Sequence, residues 1–140
     1  MNTAIIRKTY RALLASLFLL LMSAFLSAGP YAFEIAIDLA PNIINLNGNM
    51  ETFVIHTNIA YDIVDPNTVT INGDENYIYG WKMDSLGLFD AIILLSDIED
   101  SLIVGEKNTF LLKGKTKTGE PFWGVSEILV IDKAIQRGKL

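Results

Sequence analysis

Phe110-Leu111-Leu112-Lys113-Gly114-Lys115-Thr116-Lys117-Thr118-Gly119-Glu120-Pro121-Phe122-Trp123 decides the fold class. Phe110, Leu112 and Gly114 alternate with Lys113, Lys115 and Lys117, the period of a strand that buries one face and wets the other. Thr118-Gly119-Glu120-Pro121 then supplies turn chemistry, and residues 122–131 form a second run rich in aromatic and β-branched side chains. Two such runs around a glycine-bearing turn read as a β-hairpin. Phe122 and Trp123 are adjacent, so their rings belong on opposite faces of the strand.

The same punctuation recurs upstream. Phe33, Ile35, Ile37 and Leu39 alternate with Glu34, Ala36 and Asp38 until Pro41, which predicts one strand. A short apolar piece over 43–46 precedes the turn Asn47-Gly48-Asn49, and residues 52–60 predict a second long strand. Asp65-Pro66-Asn67 reads as a turn before a strand at 68–71, which Asn72-Gly73-Asp74 stops and residues 77–83 are expected to pair with. Residues 89–95 form a nearly unbroken apolar run, expected to be a central strand, and Asp97, Glu99 and Asp100 follow as one helical turn. About seven short strands without a long amphipathic helix predict an all-β, immunoglobulin-like antiparallel β-sandwich over residues 29–133. Residues 134–140 are expected to be a loose tail.

The first 28 residues have another character. Arg7, Lys8 and Arg11 precede an apolar run over 12–26, and Ser27, Ala28 and Gly29 supply small residues before Pro30. That order is a secretory signal, expected to form a helix and to be cleaved after Ala28. Leu26, three residues before the cut, is larger than signal peptidase prefers, so a retained anchor is the alternative. The run is shorter than the roughly twenty residues of a membrane span. Either outcome places the rest of the chain outside the cytoplasm, periplasmic or extracellular, with no membrane span after cleavage.

All sixteen acidic residues lie beyond Ala28 with only eight of the eleven basic ones, a net charge of −8 for the exported part. So acidic a surface repels phosphate, which argues against nucleic-acid binding. There is no cysteine, so disulfides, thiolate metal sites and a lipid-modified cysteine are all excluded, and packing alone must hold the domain.

Three stretches carry a resemblance: 37–46 with its Ala40-Pro41-Asn42, 64–73 with its Asp65-Pro66-Asn67, and 112–131 with Gly114, Gly119, Pro121-Phe122 and Gly124. The chain resembles a mostly uncharacterised immunoglobulin-like domain family of bacterial exported proteins. The resemblance implies a sandwich and an extracytoplasmic setting, without an agreed activity. Many relatives carry a calcium-type loop. In the comparable stretch, 82–90, Asp84, Gly87 and Asp90 keep the spacing, while Lys82 and Leu86 stand where oxygen ligands would be needed.

The candidate chemistry is sparse. His56 is the only histidine, on the strand face of Val54, Asn58 and Ala60, and no serine sits in a Gly-x-Ser-x-Gly elbow to serve as its nucleophile. Asn72, Asp74, Glu75 and Asn76 form an oxygen-rich turn, so Asp84, Asp90, Asp74 and Glu75 are the candidate calcium ligands. Trp123, Trp81 and Tyr79, with His56, are the candidate ligand or partner surface. Lys113, Lys115 and Lys117 line one strand face, which reads as protection of a sheet edge or as a docking stripe. These features lead us to expect a non-catalytic exported binding or structural module of the cell envelope, with no cofactor and another envelope or secreted protein as partner. A calcium- or carbohydrate-binding accessory domain is the alternative.

Overall fold

The computed structural model describes residues 31–133. The expected signal segment, 1–28, and the expected tail, 134–140, lie outside the described residues. The strands are β1 (Phe33–Glu34), β2 (Ile37–Ala40), β3 (Ile43–Asn45), β4 (Thr52–Ala60), β5 (Val64–Ile71), β6 (Gly80–Met83), β7 (Leu88–Leu94), β8 (Lys107–Thr116) and β9 (Pro121–Ile131). A single α-helical turn, α1 (Leu95–Ile98), continues into a 3-10 turn at Glu99–Ser101, where one helical turn is expected from the acidic cluster.

Two packed sheets make a β-sandwich. The first runs β1-β9-β8-β5, with β3 also on β9; the second runs β2-β4-β7-β6. The hairpin expected around Thr118-Gly119-Glu120-Pro121 is the spine of the first sheet, with β8 and β9 paired from Lys107↔Leu129 to Lys115↔Pro121. Alternation sets which side chains go inside. Phe110 and Leu112 of β8 face Phe53, Ile55 and Ile93 of the opposite sheet in one buried core. The Phe53 and Phe110 rings meet edge to face at 5.6 Å, a favoured aromatic geometry that joins the two layers.

Three expectations are corrected. Residues 33–39 are not one strand: β1 runs parallel to β9 in the first sheet, whereas β2 is antiparallel to β4 in the second. The chain changes sheets at Ile35, whose N–H still donates to Trp123 O (2.8 Å). Gly124 permits that close crossing, since a Cβ there would lie 2.8 Å from Ile35 O and 2.7 Å from Ile37 Cγ2. Next, Asp65-Pro66-Asn67 is not a turn ahead of a strand that begins at Thr68, since the strand already begins at Val64. It is an irregularity inside β5, between the Asp65↔Lys115 and Thr70↔Lys113 pairs. Finally, β6 pairs with β7 in the second sheet and not with β5.

Candidate functional site

Sheet edges expose unpaired main-chain groups, and most edge strands of this sandwich carry something that blunts them. β5 carries Pro66 and an irregular register. β1 and β3 are two and three residues long, and β2 carries Asp38 and stops before Pro41. β6, like β2, makes four successive pairs in regular register and carries one charged residue, Lys82; what sets it apart is the large exposed side chains at and beside it, Tyr79, Trp81 and Met83.

Asp84 N–H donates to Leu88 O (2.9 Å), which fixes the alternation of the antiparallel ladder. Gly80 and Lys82 therefore turn their main-chain groups toward β7. Trp81 and Met83 turn theirs to the open side, where no hydrogen bond among the described residues reaches them. The side chains here are large and wet: Tyr79 is 65% exposed, Met83 60% and Trp81 40%. Trp81 and Met83 stand opposite Ala91 and Phe89, on the core-facing side of the sheet, but at its margin.

A second cluster crosses the outer face of the same sheet. Register aligns Asp38, His56, Asp90 and Lys82 in one row across β2, β4, β7 and β6. Asp90 is 1% exposed although it points away from the core, because its neighbours in the row cover it. Its Oδ1 lies 2.9 Å from His56 Nδ1, and Lys82 Nζ lies 3.9 Å from Oδ2. The contact orients the imidazole through Nδ1 and leaves Nε2 as its other ring nitrogen. This is an imidazole oriented by an acid, and among the described residues no hydroxyl hydrogen-bonds it.

The third cluster is on the other sheet. Phe122 is buried, and its neighbour Trp123 lies on the outer face, in keeping with the strand period. Trp123 is opposite Lys113 on β8 and Glu34 on β1. A shallow cavity of about 560 Å³ has Trp123, Lys113, Lys115, Thr68 and Pro121 in its lining. The lysines do not guard an edge, as the sequence suggested. Lys113 and Lys115 sit on β8, an interior strand between β9 and β5, and Lys117 lies just past its end.

The four candidate surface residues are thus divided among three places: Tyr79 and Trp81 at the β6 edge, His56 on the outer face of that sheet, and Trp123 on the opposite sheet. The candidate metal ligands do not converge on one point either. Asp84 Oδ1 accepts from Leu86 N–H and Leu88 N–H, both at 2.8 Å, and closes its own turn. Asp74 Oδ1 accepts from both nitrogens of Asn76, Glu75 is exposed, and Asp90 is covered by His56 and Lys82. Among the described residues no three His, Asp or Glu side chains gather as a metal site. Nor is any helix among them long and apolar enough to cross a membrane.

The His56–Asp90–Lys82 row escaped sequence reading because its members are 34 and 8 positions apart and are aligned only by register. The free β6 edge escaped because residues 77–83 were assigned a partner in the wrong sheet. No family model, curated protein or solved structure matches the chain.

Proposed function

We propose that this chain is a non-catalytic, exported module of the cell envelope that takes up an extended segment of a partner protein along β6. The observation that carries the reading is the β6 edge, where unbonded main-chain groups at Trp81 and Met83 coincide with exposed side chains at Tyr79, Trp81 and Met83. Strand addition at such an edge draws affinity from main-chain hydrogen bonds and specificity from alternate side chains. β5 is broken by proline, β1 and β3 are two and three residues long, and β2, equal in length to β6, has no large exposed apolar side chain. The basic and apolar pattern of residues 7–26 supports export. An immunoglobulin-like topology, and membership of the exported family the sequence resembles, are part of the proposal. The change of sheet between β1 and β2 and the β8–β9 hairpin support it.

The test uses a photo-crosslinking residue at Met83 and, separately, at Val125 on the other sheet, in cells that express the full chain. One defined envelope protein is expected to crosslink from position 83 and not from 125. Trp81→Pro should abolish the crosslink while leaving the fold intact, since the Trp81 N–H faces the open side and its loss costs the ladder no bond. Equal crosslinking from both positions, or a crosslink unchanged by Trp81→Pro, refutes the edge reading.

A further inference from the structure

The outer face of the first sheet is built differently from the β6 edge. At Trp123, Lys113 and Lys115 the strands β8 and β9 have a paired neighbour on each side, so little main chain is offered there to an incoming peptide strand. A ligand here must be held by side chains alone. The polar side chain Thr68 is already committed: its hydroxyl donates to Asp65 O (2.7 Å) and accepts from Lys115 N–H (2.8 Å). What remains is the partly buried Trp123 ring and two exposed ammonium groups.

Those ammonium groups are free. The ion pairs among the described residues are His56–Asp90, Lys82–Asp90 and Lys107–Glu127, and none involves Lys113 or Lys115. Carboxylates do stand in neighbouring register positions, Glu34 across from Trp123 and Asp65 across from Lys115, yet neither reaches a lysine. On a chain with a net charge of −5, two lysines that make no ion pair among the described residues, beside an aromatic ring, leave two ammonium groups able to turn to an anion. The cavity of about 560 Å³ falls within the range of about 300–1,000 Å³ typical of small-ligand sites.

We infer that the Trp123–Lys113–Lys115 face binds an acidic saccharide, with a pyranose ring stacked on the indole and its carboxylate placed between the two lysines. A flat apolar ring face and an adjacent anion are the two features this surface recognises, and a uronic acid presents both. The site is on the opposite sheet from β6 and stands or falls independently of the partner edge.

Titration calorimetry of the full chain with trigalacturonate, and with maltotriose as the uncharged counterpart, tests the inference. Trigalacturonate is expected to bind and maltotriose to give no measurable heat. Trp123→Ala and the double variant Lys113→Gln/Lys115→Gln should each weaken trigalacturonate by about tenfold or more, whereas Trp81→Ala leaves it unchanged. Raising the salt should weaken binding, because the lysines are exposed and screened. Should Trp123→Ala lose its fold, the lysine variant carries the test, since both side chains are exposed and make no ion pair among the described residues. No binding of trigalacturonate by the unaltered chain, equal binding of maltotriose, or affinity undiminished in the lysine variant would each overturn the inference.

Discussion

Gly124→Ala probes the point where the chain leaves one sheet for the other. A Cβ at this position would sit 2.7 Å from Ile37 Cγ2, 2.8 Å from Ile35 O and 3.1 Å from Ile35 Cγ1. Comfortable carbon contacts begin at about 3.5 Å, so the β1–β2 crossing must retreat from β9 by most of an ångström. One of the crowding atoms is a main-chain oxygen, which cannot rotate away as a side chain can. The retreat stretches the Ile35 N–H bond to Trp123 O, now 2.8 Å, and lifts the buried Ile35 side chain from the core. Overpacking costs about 1–3 kcal/mol and a weakened hydrogen bond about 1 kcal/mol more, so the expected loss is about 2–4 kcal/mol. For a domain of about 100 residues that corresponds to a fall in Tm of about 10 °C or more. Urea unfolding followed by near-ultraviolet circular dichroism measures it, with Gly80→Ala as control. A Cβ at Gly80 meets nothing within 4 Å, and that variant should stay within about 0.5 kcal/mol of the parent. If Gly124→Ala is as stable as Gly80→Ala, the close crossing is not what requires glycine.

Gly114→Ala would place a Cβ 2.5 Å from the Phe122 ring tip, so it should destabilise by about 1–3 kcal/mol, and adding Phe122→Leu should recover part of the loss in the same urea assay. His56→Ala strips the buried Asp90 carboxylate of its 2.9 Å partner and should cost about 1–3 kcal/mol, toward the low end because water can enter where the imidazole was. The paired replacement His56→Val/Asp90→Val leaves no stranded charge and should come within about 1 kcal/mol of the parent, which a double-mutant cycle reads directly. Asp84→Ala removes the acceptor for Leu86 N–H and Leu88 N–H and should lower Tm by the same amount in excess calcium and in chelator. A loss confined to the calcium condition would instead make this turn a metal site.

Strand alternation was legible wherever one strand stays in one sheet. β4 begins and ends where its β-branched and aromatic run does, and inner Phe53, Ile55 and Ile59 separate from outer Val54, His56 and Asn58 as the period requires. The β8–β9 hairpin was legible for the same reason, helped by Gly119 at positive φ in its turn. The period fails to report a change of sheet. Ile35 and Leu39 are both buried, as alternation from Phe33 predicts, although β1 and β2 belong to different layers. A sandwich interior is reached from either sheet, so an inward residue keeps its sign while its strand changes partners. Asp65-Pro66-Asn67 misled for a related reason. Asp65 Oδ1 accepts from Asn67 N–H, the bond of an Asx turn, yet Thr68 bridges back to Lys115 and the strand resumes.

The two surfaces differ in what kind of group they leave over, and this separates their ligands. At β6 the surplus is main-chain, which complements another main chain and discriminates poorly among side chains. Around Trp123, Lys113 and Lys115 the main chain is paired on both sides, and the surplus is one indole and two ammonium groups, which complement a ring and an anion. A strand-donating partner has no valence to satisfy on the second surface, and a saccharide has no ladder to complete on the first. Edge variants such as Trp81→Pro and face variants such as Lys113→Gln/Lys115→Gln should therefore have separable effects, each removing one interaction and sparing the other. Loss of both interactions in either variant would mean that the two sheets do not act as independent surfaces.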